Sequence, residues 1–283
     1  MNVNSEQNEL SFPEPVFSTG FLPAVFVYFP LPYRDPGDRF SKTVRGYRID
    51  LSSRIGCPYG KIGRSVLTLI TTEAVKSKNP RIDLGSLRAT VVKMGFTYDG
   101  QYGNQTKEQF HRFANTHVDL DREVNAPGVK GIDELHFSFA DTLSLRWSTD
   151  QQHPYLPLAL QKNFLELSLQ CFEYVLSHAV PILLEPYFSI QSPREQDVYA
   201  WIVRRLWNLK NEYSVKWDLL YEQFGPVSRQ NKPLFRTELR RYLFHIRTEI
   251  YKEARVEATD EGLILRPSPP LVEPGDKRAG HLL

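Results

Sequence analysis

Apolar positions recur at helical spacing in two clusters, with runs of alternation between them. In the first cluster Val66, Leu67, Ile70 and Ala74 share a face and predict a helix over 65–76. Residues 81–84 read as a short strand leading to Ser86. Leu87, Val91 and Met94 then mark a second helix that Gly95 stops. Thr106-x-x-Gln109 has the form of a capping box, so a third helix is expected from Thr106 to about Asn115, with Phe110, Phe113 and Ala114 inward. Strands are expected at 118–120, 135–139 and 143–147, with a turn at Asn125-Ala-Pro-Gly. Ahead of this cluster, 21–29 is aromatic and β-branched and reads as a leading β segment. Residues 32–37 form a turn, and 47–51 alternates like a strand.

Leu165, Leu167 and Leu169 alternate as a further strand. A short helix carries Phe172, Val175, Leu176 and Ala179 and is ended by Pro181. The second cluster then opens on Ser192-Pro193-Arg194-Glu195, a Ser cap with Pro at the first helical position and Glu placed to reach back. Its buried stripe is Val198, Trp201, Ile202, Leu206 and Leu209. A second helix is expected from near Ser214, with Trp217, Leu220 and Phe224 inward and Gly225 as its stop. A third follows Pro233, with Phe235, Leu239, Tyr242, Leu243, Ile246 and Ile250 on one broad face. Val256–Ala258, a turn over 259–262 and Leu263–Leu265 complete a β-hairpin.

Three helices followed by a two-stranded hairpin is the plan of a winged helix, whose third helix docks in the major groove. The order occurs twice, although no internal repeat is visible at the residue level. The expected fold is therefore α+β, with two tandem winged-helix domains of three helices and a hairpin wing each. The boundaries are a disordered tail at 1–20, a first domain with its leading β segment at 21–165, a second at 166–266 and a flexible tail at 267–283.

Charge sharpens the picture at one place. The 283 residues carry a net +2, but 229–255 holds eight basic and three acidic residues, a net +5 that leaves −3 for the remainder. On the third helix of the second cluster Arg236, Thr237, Arg240, Arg241 and Phe244 fall on the arc opposite the aliphatic face. An arc of arginines suits bidentate contact with guanine edges and phosphates. The expected DNA-binding set is Arg229, Lys232, Arg236, Thr237, Arg240, Arg241 and Arg247, with Arg255 and Arg266 at the base of the hairpin where backbone phosphates pass. A solvated basic face, paired in part with Glu238 and Glu249, is the alternative reading of the same charges.

Catalytic and metal readings find little. Gly60-Lys61-Ile62-Gly63-Arg64-Ser65 lacks the spacing of a phosphate loop. Asp119 and Asp121 share one strand face and point to water. The histidines at 111, 117, 136, 153, 178, 245 and 281 are scattered, and Cys57 and Cys171 stand too far apart for a Cys-x-x-Cys site. Trp201 and Trp217 lie on inward stripes and read as core. No enzyme activity, metal or cofactor is expected. Two cysteines make no disulfide framework, no apolar run approaches a membrane span, and no Lys or Arg precedes Arg34 to open a secretory signal, so a cytoplasmic location is expected.

Several stretches resemble RepA-type plasmid replication initiators. They are 254–270 (ARVEATDEGLILRPSPP), Pro58-Tyr59-Gly60 followed by 69–75, 31–37 (LPYRDPG), Ser192-Pro193 with 197–201 (DVYAW), and Trp217 with Gln223-Phe224-Gly225. The resemblance covers roughly 28–270 and is loosest over 97–165. It implies a protein that binds repeated sites at a plasmid origin, helps to open the duplex and recruits host replication proteins such as helicase and polymerase. Related initiators use two winged-helix domains and also repress their own gene as dimers, so double-stranded DNA and a homodimer partner are implied. A winged-helix transcriptional repressor without a replication role is the alternative function.

Overall fold

This computed structural model describes residues 18–126, 128–147, 162–226 and 231–272. Strand β1 (Thr19–Pro23) runs straight into the short helix α1 (Ala24–Tyr28), all five of whose residues are buried. The β segment expected over 21–29 is thus half strand and half helix. Pro23 makes the change, because it holds the extended cap conformation and has no amide to place in the first turn. β2 (Arg39–Val44) and β3 (Tyr47–Ser53) pair through Arg45-Gly46, both at positive φ, the geometry that matches a two-residue turn to the twist of its strands.

The first helical cluster holds α2 (Gly60–Ser77), β4 (Arg81–Asp83), α3 (Leu87–Lys93) and α4 (Gly100–Ala114). α4 begins six residues before the expected Thr106. Asp99 caps it, its carboxylate accepting the Tyr102 amide at 2.7 Å, and Thr106 lies buried within the helix. The Thr-x-x-Gln spacing is there, but the better cap lies upstream. β5 (Thr116–Ala126) and β6 (Val129–Ser138) are much longer than the short strands expected, and they join at the predicted turn region. β7 (Ala140–Ser144) and β8 (Phe164–Leu167) follow. Leu169 is exposed and opens α5 (Leu169–His178) instead of extending the strand.

Pro181 lies inside β9 (Ala179–Leu183), so α5 ends before it and not because of it. After α6 (Leu184–Ser189) comes α7 (Pro193–Leu206), started by Ser192, whose Oγ accepts the Glu195 amide at 3.4 Å. The Glu195 carboxylate meets His245 Nδ1 at 2.6 Å. The helix expected from Ser214 is a strand first, β10 (Tyr213–Lys216), and only then α8 (Trp217–Phe224). α9 (Lys232–His245) widens into a π-helical turn at Ile246–Ile250, and β11 (Val256–Ala258) and β12 (Gly262–Leu265) form the expected hairpin. Residues 267–272, expected to begin a loose tail, pack instead: Tyr251 Oη donates to the Pro269 carbonyl at 2.5 Å and Val272 is buried.

The chain is α+β with several small sheets. α2-β4-α3-α4-β7-β8 and α7-β10-α8-α9-β11-β12 run in the same order, and their three-stranded sheets have the same arrangement, β4-β8-β7 and β10-β12-β11. In the first half the hairpin β5–β6 is interposed and joins β2–β3 in a four-stranded antiparallel sheet, β2-β3-β5-β6. β1 pairs with β9, which lies beyond the expected boundary at 165–166.

One buried core runs through both halves, and a charge pair sits in it. Arg64 on α2 is 2% exposed and Asp197 on α7 is 6% exposed. Arg64 Nε and Nη2 each donate to a different Asp197 oxygen at 2.8 Å, while its other donors reach the carbonyls of Leu31, Pro32 and Gly60. All five guanidinium hydrogens therefore have acceptors. Burial pushes the Asp197 carboxyl above the usual range, against the pull of Arg64. The Tyr33 ring stacks 5.0 Å from both Arg64 and Arg194, and its hydroxyl donates to the Phe224 carbonyl at 3.2 Å. The β2–β3 hairpin is clamped to the other half by Lys42, which donates to the Gln223 carbonyl at 2.5 Å and whose amine burial lowers to about 8.

Removing one member of a buried pair strands the other. Arg64→Met is expected to cost ~3–5 kcal/mol in urea unfolding, and Arg64→Met with Asp197→Leu to recover most of that. A second prediction concerns acid. Arg112 holds the Asp35 carboxyl below its ordinary range through paired hydrogen bonds, helped by the Gly37 amide. A depressed carboxyl stabilises fully above its unfolded pKa and loses that contribution as pH falls through the folded value. Urea midpoints between about pH 5 and pH 2 are expected to fall less steeply for Asp35→Asn than for the wild type.

Candidate nucleic-acid interface

α9 is tied down at both ends. Asn231 caps it, its side chain accepting the Leu234 amide at 3.0 Å, and Lys232 pairs with Asp218 of α8 at 2.9 Å, which holds the Asp218 carboxyl below its usual range. At the other end Ser192 donates to Tyr242 Oη at 3.1 Å and Glu195 meets His245. Phe235, Leu239, Tyr242, Leu243 and Ile246 are buried. Thr237, Arg240, Arg241, Phe244 and Arg247 are exposed, and Arg236 is half-buried. Glu238, which might have neutralised this face, pairs with Arg194 of α7 instead.

The hairpin turn is bracketed against α9 by Trp217. Its indole nitrogen donates to the Thr259 carbonyl at 3.1 Å, and Arg240 donates to that same carbonyl at 3.0 Å with Asp260 3.7 Å away. The guanidinium groups of Arg236 and Arg240 lie 5.7 and 5.3 Å from the Trp217 ring. β12 lies close against β10 because position 262 is glycine: a Cβ there would fall 1.9 Å from the Val215 carbonyl oxygen. The exposed helix face and the hairpin turn therefore form one surface, with Arg240 at the seam.

The other residues of the expected set are placed less uniformly. Arg241 stacks 5.4 Å from its neighbour Tyr242, and among the described residues Arg241, Arg247 and Arg255 make no ion pair. Arg266 is bridged by Glu212 at 3.0 Å and Glu257 at 2.8 Å, so two carboxylates already occupy its guanidinium. Arg229 lies outside the described residues. Sequence reasoning missed the bracketing role of Trp217, since an indole on an inward stripe reads as core. In the first half α4, with one exposed face, stands where α9 stands in the second. That face exposes Gln101, Asn104, Glu108 and His111. It carries two amides, a carboxylate and an imidazole.

Cys57 and Cys171 are free and buried, and burial pushes the Cys57 thiol up to about 11. Asp119 meets His136 Nδ1 at 2.7 Å, an exposed contact that raises the imidazole's proton affinity. Among the described residues no group of His, Cys, Asp or Glu is placed to hold a metal ion, and no helix is long and apolar enough to cross a membrane.

No family model and no curated protein sequence matches the chain. Its fold does match solved structures. Domains 2 and 3 of RctB superpose with a TM-score of 0.55 and 13% identity, over 89% of this chain and 99% of that one. A second crystal structure of RctB domains 2–3 gives 0.51 and 12%, over 86% and 96%. The similarity is one of fold and extends across both halves.

Trp217→Phe replaces the buried indole by a smaller ring and removes the bond to Thr259. It is expected to cost ~2–3 kcal/mol of stability, one hydrogen bond plus the lost buried volume, and to raise amide exchange in the 259–262 turn.

Proposed function

We propose that this chain is a sequence-specific, duplex-binding replication initiator built on two winged-helix units. Each unit is the repeated order of helix, strand, two helices and hairpin. The observation that carries the reading is the surface of α9: arginines and Thr237 exposed opposite a buried stripe, with Arg240 anchored to the hairpin turn. A helix presented in this way fits a major groove, and a hairpin beside it reaches the adjoining backbone. The resemblance to RepA-type initiators supplies the replication role, and the fold shared with RctB domains 2 and 3 spans both proposed units.

In this reading Arg240 and Arg241 make bidentate contacts to guanine edges or phosphates, and Lys232, Arg236 and Arg247 add charge along the backbone. Arg255 sits near the hairpin base. Arg266 contributes least, because Glu212 and Glu257 already hold it. The amide-bearing face of α4 lies against a second stretch of groove, where Asn and Gln side chains suit adenine edges. Binding energy is spent on DNA deformation. Contacts by two units held at a fixed spacing strain the intervening duplex, and arrays of such complexes on origin repeats tip a neighbouring A/T-rich region toward opening. The role is non-catalytic, without metal or cofactor, exercised in the cytoplasm by a chain that pairs with a second copy and with host replication proteins.

Footprinting on the replicon that encodes the chain, with a salt titration, tests this. Protection of repeated sites is expected, with affinity falling linearly in log–log salt. Arg240→Ala is expected to weaken specific binding by ~1–3 kcal/mol and Arg266→Ala by much less. A gene supplied in trans that sustains an origin plasmid supports the initiator role. Silencing of a promoter without plasmid maintenance, or a flat salt plot, contradicts it.

A further inference from the structure

The most outward line of α9 is not charged. Thr237 and Phe244 are seven residues apart, two turns of helix, and both lie opposite the stripe of Phe235, Leu239, Tyr242 and Ile246. Arg240 and Arg241 flank that line on either side. Phe244 is 69% exposed, as bare a large apolar side chain as any among the described residues. The Thr237 hydroxyl is turned back to its own helix and donates to the Pro233 carbonyl at 3.2 Å. That bond commits the oxygen to the backbone and leaves the methyl as the free branch at Cβ. The centre of a cationic helix face thus presents a methyl group and a phenyl ring.

We infer that Thr237 and Phe244 are specificity residues that read the 5-methyl groups of two thymines. This rests on the reading of α9 as a helix in the major groove. The thymine methyl is the one apolar feature of a base-pair edge there, and Thr methyls and Phe rings are the side chains that pack on it. The flanking arginines account for the affinity of the surface and for its preference for a polyanion, which an apolar protein partner would not supply. Seven residues rise about 10 Å along the helix, close to three base-pair steps of about 3.4 Å. A recognition helix crosses the groove at an angle, so that rise is an upper bound and the two thymines stand about two or three base pairs apart.

The test uses the full chain and a duplex selected by it from a random pool. Thymines of that duplex are replaced one at a time by deoxyuridine, which removes only the methyl. Two positions about two or three base pairs apart are expected to show about fourfold weaker binding each, the worth of one buried carbon. Phe244→Ala is expected to abolish the thymine–uracil difference at one position and Thr237→Ser at the other, each leaving the thermal midpoint near wild type. Arg240→Ala separates the two levels of the claim. If it weakens binding while the uridine scan is flat, or while both variants keep the full thymine–uracil difference, the inference fails and the reading of α9 stands. If Arg240→Ala has no effect, or no duplex is enriched, both fall.

Discussion

Arg64 and Asp197 set the geometry on which everything else in the chain depends. A guanidinium and a carboxylate taken out of water are costly unless every donor and acceptor is met. Here the guanidinium has five acceptors, two from Asp197, two from the backbone between α1 and β2, and one from Gly60 at the start of α2. The pair joins α2 of the first half to α7 of the second, and a one-residue shift in either helix would strand a charge. Hydrophobic contact alone tolerates such sliding. A fully bonded ion pair does not, which suits it to fixing register more than to adding stability.

The surroundings repeat the constraint. Tyr33 stacks on Arg64 and Arg194, its hydroxyl bonds to the end of α8, and Lys42 and Gln223 carry the contact along the β2–β3 hairpin. The stretches that resemble RepA-type initiators at 31–37, 58–60, 197–201 and 223–225 all meet at this junction. They contribute Tyr33, the start of α2, Asp197 and the end of α8. The longest resembling stretch, 254–270, lies apart from this junction and forms the β11–β12 hairpin. A rigid junction fixes the distance between the exposed faces of α4 and α9.

Much of this was legible in the sequence where local chemistry is decisive. Ser192-Pro193 starts α7 as expected, Gly95 and Gly225 stop their helices, and the outward arc of α9 holds Thr237, Arg240, Arg241 and Phe244. The failures share a cause: tertiary partners overrode local preference. Ser214 lies in a strand because β12 offers β10 an edge to pair with. Residues 24–28 are β-prone yet helical because all of them are buried between other elements. β5 extends past its apolar centre to Arg122 because β3 pairs with it there, and beyond Arg122 β5 and β6 continue as a pair by themselves. Nothing local announces Arg64 or Asp197, since a lone Arg and a lone Asp 133 positions apart look like surface residues. The same holds for Arg266, whose acidic partners come from two other segments.

Directed cleavage tests most directly whether α9 lies against a duplex. Cys57 and Cys171 are both buried, so a cysteine introduced at exposed Thr248 takes an iron chelate selectively. A second derivative carries the chelate at exposed Leu169 on α5. Hydroxyl radicals from position 248 should cut both strands inside the protected site, at a cluster a few base pairs wide, while those from 169 leave that cluster uncut. Cleavage inside the site from 169, with none from 248, would place another face of the molecule on the DNA.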